Sequence, residues 1–183
     1  GRRVGPSLEV KEAMKVLESM EGPNSLIEKS AALAGILLEM GGAAPRDQGK
    51  ELALETLRSG KALEKMKQII EAQGGDPNIK SDDIQIGQYT ADIFASTDGY
   101  VMEFDNKWII EIARLAGAPN DKGAGVAIHK KRGEQVKKGD PILTIYAEKE
   151  IKLDNALATA QRTNPIIVEG MLLRRIPGTY GFQ

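Results

Sequence analysis

The stretch Gly133-Glu134-Gln135-Val136-Lys137-Lys138-Gly139-Asp140-Pro141-Ile142-Leu143-Thr144-Ile145-Tyr146-Ala147 carries two glycine-marked turns and then a strand. Pro141 opens a run rich in β-branched and aromatic residues, as a strand requires. Residues 124–129 have the same character, so the charged segment His129 to Asp140 reads as a hairpin between two strands. Val126, Ile128, Ile142, Leu143 and Ile145 lie on those strands, and their inward members should share one core. Gly133 and Gly139 supply the backbone angles that turns at either end demand. Lys130, Lys131, Arg132, Lys137 and Lys138 then point to solvent.

Outward from this pair the pattern stays mixed. Tyr89–Ala95 and Tyr100–Phe104 read as strands flanking the turn Ser96-Thr97-Asp98-Gly99, and 165–176 reads as a final strand segment. Asp105 suits the cap of a helix that places Trp108, Ile109, Ile112, Ala113 and Leu115 at helical spacing and stops at Gly117. Ala156 to Gln161 falls in a further helix.

Residues 7–74 differ: they read as four helices. Ser7 is a candidate cap for Glu9–Met20, and Ser25-Leu26-Ile27-Glu28 has the form of a capping box. The second helix runs to Met40 and stops at Gly41-Gly42, and its apolar stretch Ala31 to Met40 reads as buried. Pro45 suits the first turn of the third helix, and Ser59-Gly60 separates that from the fourth. The expected division is a helical block over 1–74, a polar linker over 75–89 and a lobe over 90–183. This is an α+β or α/β fold, with helices packed on a sheet and no internal repeat.

Composition excludes several classes. The 183 residues hold 41% hydrophobic and 28% charged positions, with 25 Lys and Arg against 26 Asp and Glu. A net charge of −1 gives no pull towards nucleic acid or an anionic membrane, so neither is expected as a partner. No run approaches the roughly 20 apolar residues of a membrane span. Gly1-Arg2-Arg3-Val4-Gly5-Pro6 lacks both an initiator methionine and the apolar core of a secretory signal. With no cysteine there is no disulfide and no thiolate metal site, which suits a cytoplasmic protein.

Candidate chemical groups have bland readings. His129, the single histidine, would need an orienting carboxylate to act as a base; otherwise it ends a strand. The five basic residues could hold a phosphate, yet Glu134, Asp140, Glu148 and Glu150 dilute their field. Gly123-Ala124-Gly125 precedes a strand, whereas a phosphate cradle needs amides converging at a helix start. Asp82, Asp83, Asp98 and Asp105 fit turns or caps as well as paired carboxylates. Residue chemistry alone therefore yields no catalytic, substrate-binding, cofactor or metal residue.

Two stretches carry a resemblance. Gly1-Arg2-Arg3-Val4-Gly5-Pro6-Ser7-Leu8-Glu9 is similar to the Gly-Arg-x-Val-Gly-x-x-x-Glu segment of thymidine and pyrimidine-nucleoside phosphorylases. Ala95-Ser96-Thr97-Asp98-Gly99-Tyr100-Val101, then Asp105, Ile112 to Gly117, Gly125-Val126 and the quoted 133–147 stretch follow in the order of that family's C-terminal domain. Within the family the chain looks most like the archaeal AMP phosphorylase branch. The resemblance implies a C-terminal lobe with a β-hammerhead-like sheet and a cytoplasmic, homo-oligomeric enzyme. It also implies phosphorolysis of a nucleotide or nucleoside by inorganic phosphate, without a cofactor. The family's phosphate- and base-binding motifs have no counterpart here, so none of its catalytic roles passes to a residue of this chain, Arg2 and Arg3 included. Gly133-x-x-Val136-x-x-Gly139-Asp140 is also similar to part of a biotinyl or lipoyl carrier. A carrier needs a lysine at the hairpin tip, and Ser96-Thr97-Asp98-Gly99 offers none. A non-catalytic assembly module is the remaining alternative.

Overall fold

The apolar alternation after Pro141 forms β6 (Pro141–Ala147), the strand from which the rest of the architecture follows. In this computed structural model, which describes residues 1–170, β6 lies between β4 (Gly125–Ile128) and β2 (Tyr89–Phe94). It is antiparallel to both, with Val126 opposite Ile145 and Asp92 opposite Thr144. A two-residue strand, β1 (Arg3–Val4), pairs with the far side of β4 and completes the order β1-β4-β6-β2. A second antiparallel sheet has the order β5-β3-β7, from β5 (Gln135–Val136), β3 (Gly99–Phe104) and β7 (Ile166–Glu169). The expected α+β architecture is what the chain adopts. Of the strand expected over 165–176, residues 171–176 lie outside the described residues.

Leu143, Ile145 and Ala147 share one face of β6 and are wholly buried. They pack against α5 (Asn106–Ala116) and α6 (Glu150–Thr163). Ile109, Ile112, Ala113 and Ala116 form the buried stripe of α5. Each large aliphatic side chain so enclosed contributes about 1.5–3 kcal/mol. Asp105 caps α5 as its position in the sequence indicates, accepting from the amides of Lys107 at 3.0 Å and Trp108 at 3.2 Å.

Two local expectations about strands need correction. The segment Ser96 to Asp98 does not close a hairpin, because β2 and β3 belong to different sheets. Likewise the chain between β4 and β6 is no simple hairpin: Val136 is an apolar residue inside a charged stretch, and it buries itself by taking β5 into the second sheet. Gly133 and Gly139 do take left-handed angles, φ 85° and 90°.

The helical block comprises α1 (Pro6–Ser19), α2 (Asn24–Met40), α3 (Gly49–Arg58) and α4 (Lys61–Ala72). Val16, Ile27, Ala31 and Leu54 make its own small core. Where α2 crosses α3, Gly35 lies against the backbone of Gly49 and Lys50, and Gly49 against the Gly35 carbonyl. A Cβ on either residue would collide with backbone, so these glycines set the closeness of the crossing. Glu39 accepts from the Gly49 amide at 2.8 Å, which starts α3 at Gly49. Pro45 therefore belongs to a preceding turn, closed by the Gln48 amide on the Pro45 carbonyl at 3.1 Å.

Neither serine caps as expected. Ser7 lies inside α1, whose cap position is Gly5. Ser25 lies inside α2, whose cap position is Pro23, and Glu28 turns outward to pair with Lys50. The expectation of burial over Ala31–Met40 also fails among the described residues: Leu33 is 55% exposed and Met40 79%. Only the Ile27–Ala31–Gly35 face is covered.

The block is tied down at its entry and at its exit. Beyond the β1–β4 pairing, the Ser7 amide donates to the Lys122 carbonyl at 3.0 Å. Further on, Ser81 is buried and donates to Glu18 of α1 through its amide (2.8 Å) and hydroxyl (2.6 Å).

Leu143 is in the centre of the core, whereas Lys137 is exposed and engages Asp140 through its backbone amide only. Leu143→Ala should lower the unfolding free energy by about 2–5 kcal/mol. Lys137→Ala should change it by under about 0.5 kcal/mol. Urea denaturation of both variants reads the contrast directly.

Candidate functional site

The face of the first sheet opposite the α5–α6 core carries a polar row. Arg3 is opposite Ala127, Ala127 opposite Thr144 and Thr144 opposite Asp92, so the four positions cross β1, β4, β6 and β2 on one face. His129, just past β4, joins the row: its Nε2 lies 2.6 Å from the Thr144 hydroxyl. That hydroxyl donates to Asp92 Oδ1 at 2.5 Å. Thr144 is only 7% exposed, so its hydroxyl depends on these two partners.

Proton counting fixes the direction of the chain. A threonine hydroxyl has one hydrogen, and a carboxylate only accepts. With that hydrogen on Asp92, Thr144 must accept from His129, whose Nε2 therefore carries the proton. His129 is then a donor to Thr144 and cannot serve as its base. The arrangement is the reverse of a nucleophile–histidine–carboxylate triad, in which the histidine receives the hydroxyl proton. Its effect is to tie three strands together.

Burial pushes the His129 pKa below its ordinary 6.5, and Arg3 pushes it in the same direction. Asp92 opposes this, and Arg2 adds a further lowering. Arg2 reaches the same corner, donating to the His129 carbonyl at 2.6 Å and to Glu134 at 2.8 Å. Its backbone amide is held by the Glu12 carboxylate at 3.0 and 3.1 Å.

The other candidates are dispersed. Lys137 and Lys138 are exposed, with their backbone amides on Asp140 and Asp98. Lys130 and Lys131 do not extend freely into solvent as expected. They are half-buried, Lys130 near Asp140 and Lys131 donating to the Gly1 carbonyl. The Gly123 amide is taken by Glu148 at 2.7 Å and the Ala124 amide by the Asp121 carbonyl at 3.1 Å, which leaves neither for an anion. Asp82 faces Lys11 and Lys15, Asp83 accepts from the Lys80 amide, and Asp105 caps α5. Sequence reading did not find Thr144 or Asp92. The available signal was an acid on a strand face shared with a threonine, and it becomes readable only once the register is known.

Residues 100–167 match the model of the pyrimidine nucleoside phosphorylase C-terminal domain. Over all 183 residues this chain is 92% identical to an AMP phosphorylase of Methanosarcina acetivorans, of which it spans 36%. It is 90% identical to an AMP phosphorylase of Methanosarcina barkeri over the same length, again 36% of that protein. An AMP phosphorylase of Thermococcus kodakarensis is 59% identical over 176 residues, 96% of this chain and 35% of that protein. The chain thus spans about a third of the length of the curated relatives it matches. Among the described residues no helix is long and apolar enough to cross a membrane.

Thr144→Val removes both hydrogen bonds at once and strands the His129 donor. It should destabilise the fold by about 1–3 kcal/mol, the cost of unsatisfied polar groups, as measured by urea denaturation.

The lowered His129 pKa has a defined pH consequence. Below the ordinary 6.5 the unfolded chain binds the proton more readily than the folded one. Stability is therefore fully present above that value and falls with pH until the folded-state pKa is reached. His129→Asn should lack this component, and unfolding curves recorded between pH 7.5 and the acid limb, about pH 5, would show the difference in slope.

Proposed function

We propose that this chain is the C-terminal part of a phosphorylase acting on nucleoside 5′-monophosphates. In that reaction phosphate attacks the anomeric carbon, the N-glycosidic bond breaks, and the products are a free base and ribose 1,5-bisphosphate. AMP, CMP and UMP are the proposed substrates, and the reaction uses no cofactor. The observation that carries this reading is the 92% identity, over the entire chain, to a protein named AMP phosphorylase. The intact protein is proposed to work as a cytoplasmic homo-oligomer.

The chain's part in this reaction is structural. The His129–Thr144–Asp92 bonds run in the wrong direction for base catalysis, and the amides of Gly123 and Ala124 are already engaged. Phosphate and base are accordingly proposed to be held by residues outside this chain, with no catalytic or substrate-binding residue within it. We assign residues 1–74 to the large α/β domain, 75–89 to a connecting segment and 90–183 to the C-terminal lobe. Closely packed helices and sheet give a rigid wall, against which the reacting groups can be positioned and water excluded.

Release of free base, followed by chromatography, tests the reading. The intact protein should liberate adenine from AMP only when phosphate is present, with no comparable turnover of thymidine or uridine. The 183-residue chain alone should liberate none. Nucleoside turnover in place of nucleotide turnover would reassign the substrate, and base release by the chain alone would overturn its structural role.

A further inference from the structure

From Ala31 to Met40 the only charged side chain of α2 is Glu39, and its carboxylate is already taken by the Gly49 amide. A helix that is apolar all round belongs inside a core. Here only one side is covered, along Ile27, Ala31 and Gly35. The uncovered side carries a stripe: Leu33, Ile36, Leu37 and Met40 follow the i, i+3, i+4, i+7 spacing, and each is more than half exposed. Among the described residues every other element exposes at most one large apolar side chain, which is ordinary for a protein surface. Four in line on one helix mark a contact surface.

The chemistry of the stripe limits what can cover it. A membrane-surface helix sets Lys and Arg opposite its apolar face, whereas the opposite face of α2 is packed on α3. A coiled coil with a second copy needs three or four heptads of seam, and this one spans about two helical turns. A stable complex between separate molecules buries about 800 Å² on each partner, contributed by roughly 20–30 residues. Four side chains fall well short of that. A surface on the same polypeptide has no such threshold, because tethering removes most of the entropic cost of association. The relatives supply such a polypeptide, since this chain spans only 36% of their length.

We infer that the Leu33–Ile36–Leu37–Met40 face of α2 is a docking surface for an apolar face of the same polypeptide, outside these 183 residues. The inference rests on the reading of this chain as part of a longer phosphorylase. Helix α2 is then apolar all round because it is covered on both sides, by α3 on one and by the rest of the intact protein on the other.

Photo-crosslinking of the intact protein, produced with photo-leucine in place of leucine, tests this without a substitution. The peptide over 30–46 should be joined to a peptide outside the 183 residues, in material that runs at the mass of a single chain on a denaturing gel. As a second measurement, Leu37→Cys in the intact protein should react with iodoacetamide at least about tenfold more slowly than Lys137→Cys, the protection expected of a site that opens only locally. Crosslinks from this peptide at twice the chain mass would make a second copy the occupant and overturn the inference. Equal reactivity of the two cysteines would overturn it as well, since the stripe would then be uncovered. A protected, crosslinked α2 in a protein that releases no adenine from AMP would refute the phosphorylase reading alone. Adenine release by a protein with an open stripe would refute the docking alone.

Discussion

Strand β6 is bonded along both edges, and its two faces serve opposite ends. Leu143, Ile145 and Ala147 close the core against α5 and α6, while Thr144 on the other face joins His129 to Asp92. A register slip of one residue would exchange these sets, placing a hydroxyl in the core and three aliphatic side chains over a polar row. The hydrogen-bonded chain and the hydrophobic core thus specify the same register from opposite sides. This explains how a strand pair separated by the long excursion 129–140 finds one alignment.

Features decided by neighbours in sequence were legible before the structure. Asp105 announces a helix because its carboxylate needs amides only two and three residues ahead. Val126, Leu143 and Ile145 announce a core because alternation is a local pattern. Features decided by tertiary partners were not. Ser25 has the spacing of a capping box, but the Pro23 carbonyl already takes the amides of Leu26 and Ile27, and Glu28 finds Lys50 instead. Gly35 reads as a blemish in an apolar helix until α3 is laid across it. Thr144 and Asp92 are 52 residues apart, and nothing short of the sheet register brings them together.

The candidate site shows the same division. His129 was identifiable as the one histidine, and its bland reading as a strand-end residue is close to what it does. What sequence could not supply was the direction of its hydrogen bond, which depends on where the single Thr144 proton goes. The basic stretch is visible as composition, and composition alone makes it one unit. The fold divides it, because burying Val136 in the second sheet sends Lys137 and Lys138 away from Lys131 and Arg132.

Strand β1 has a mechanical meaning beyond its two ladder positions. The polypeptide enters the helical block directly from the sheet at Gly5, and it returns past Ser81, which is fastened to α1 through Glu18. A block held at one end behaves as a pendulum on a string. Held at two, at its entry through β1 and at its exit through Ser81, it cannot pivot about either attachment alone. A helical block fastened at both ends keeps one placement against the sheet, where a single tether would leave many.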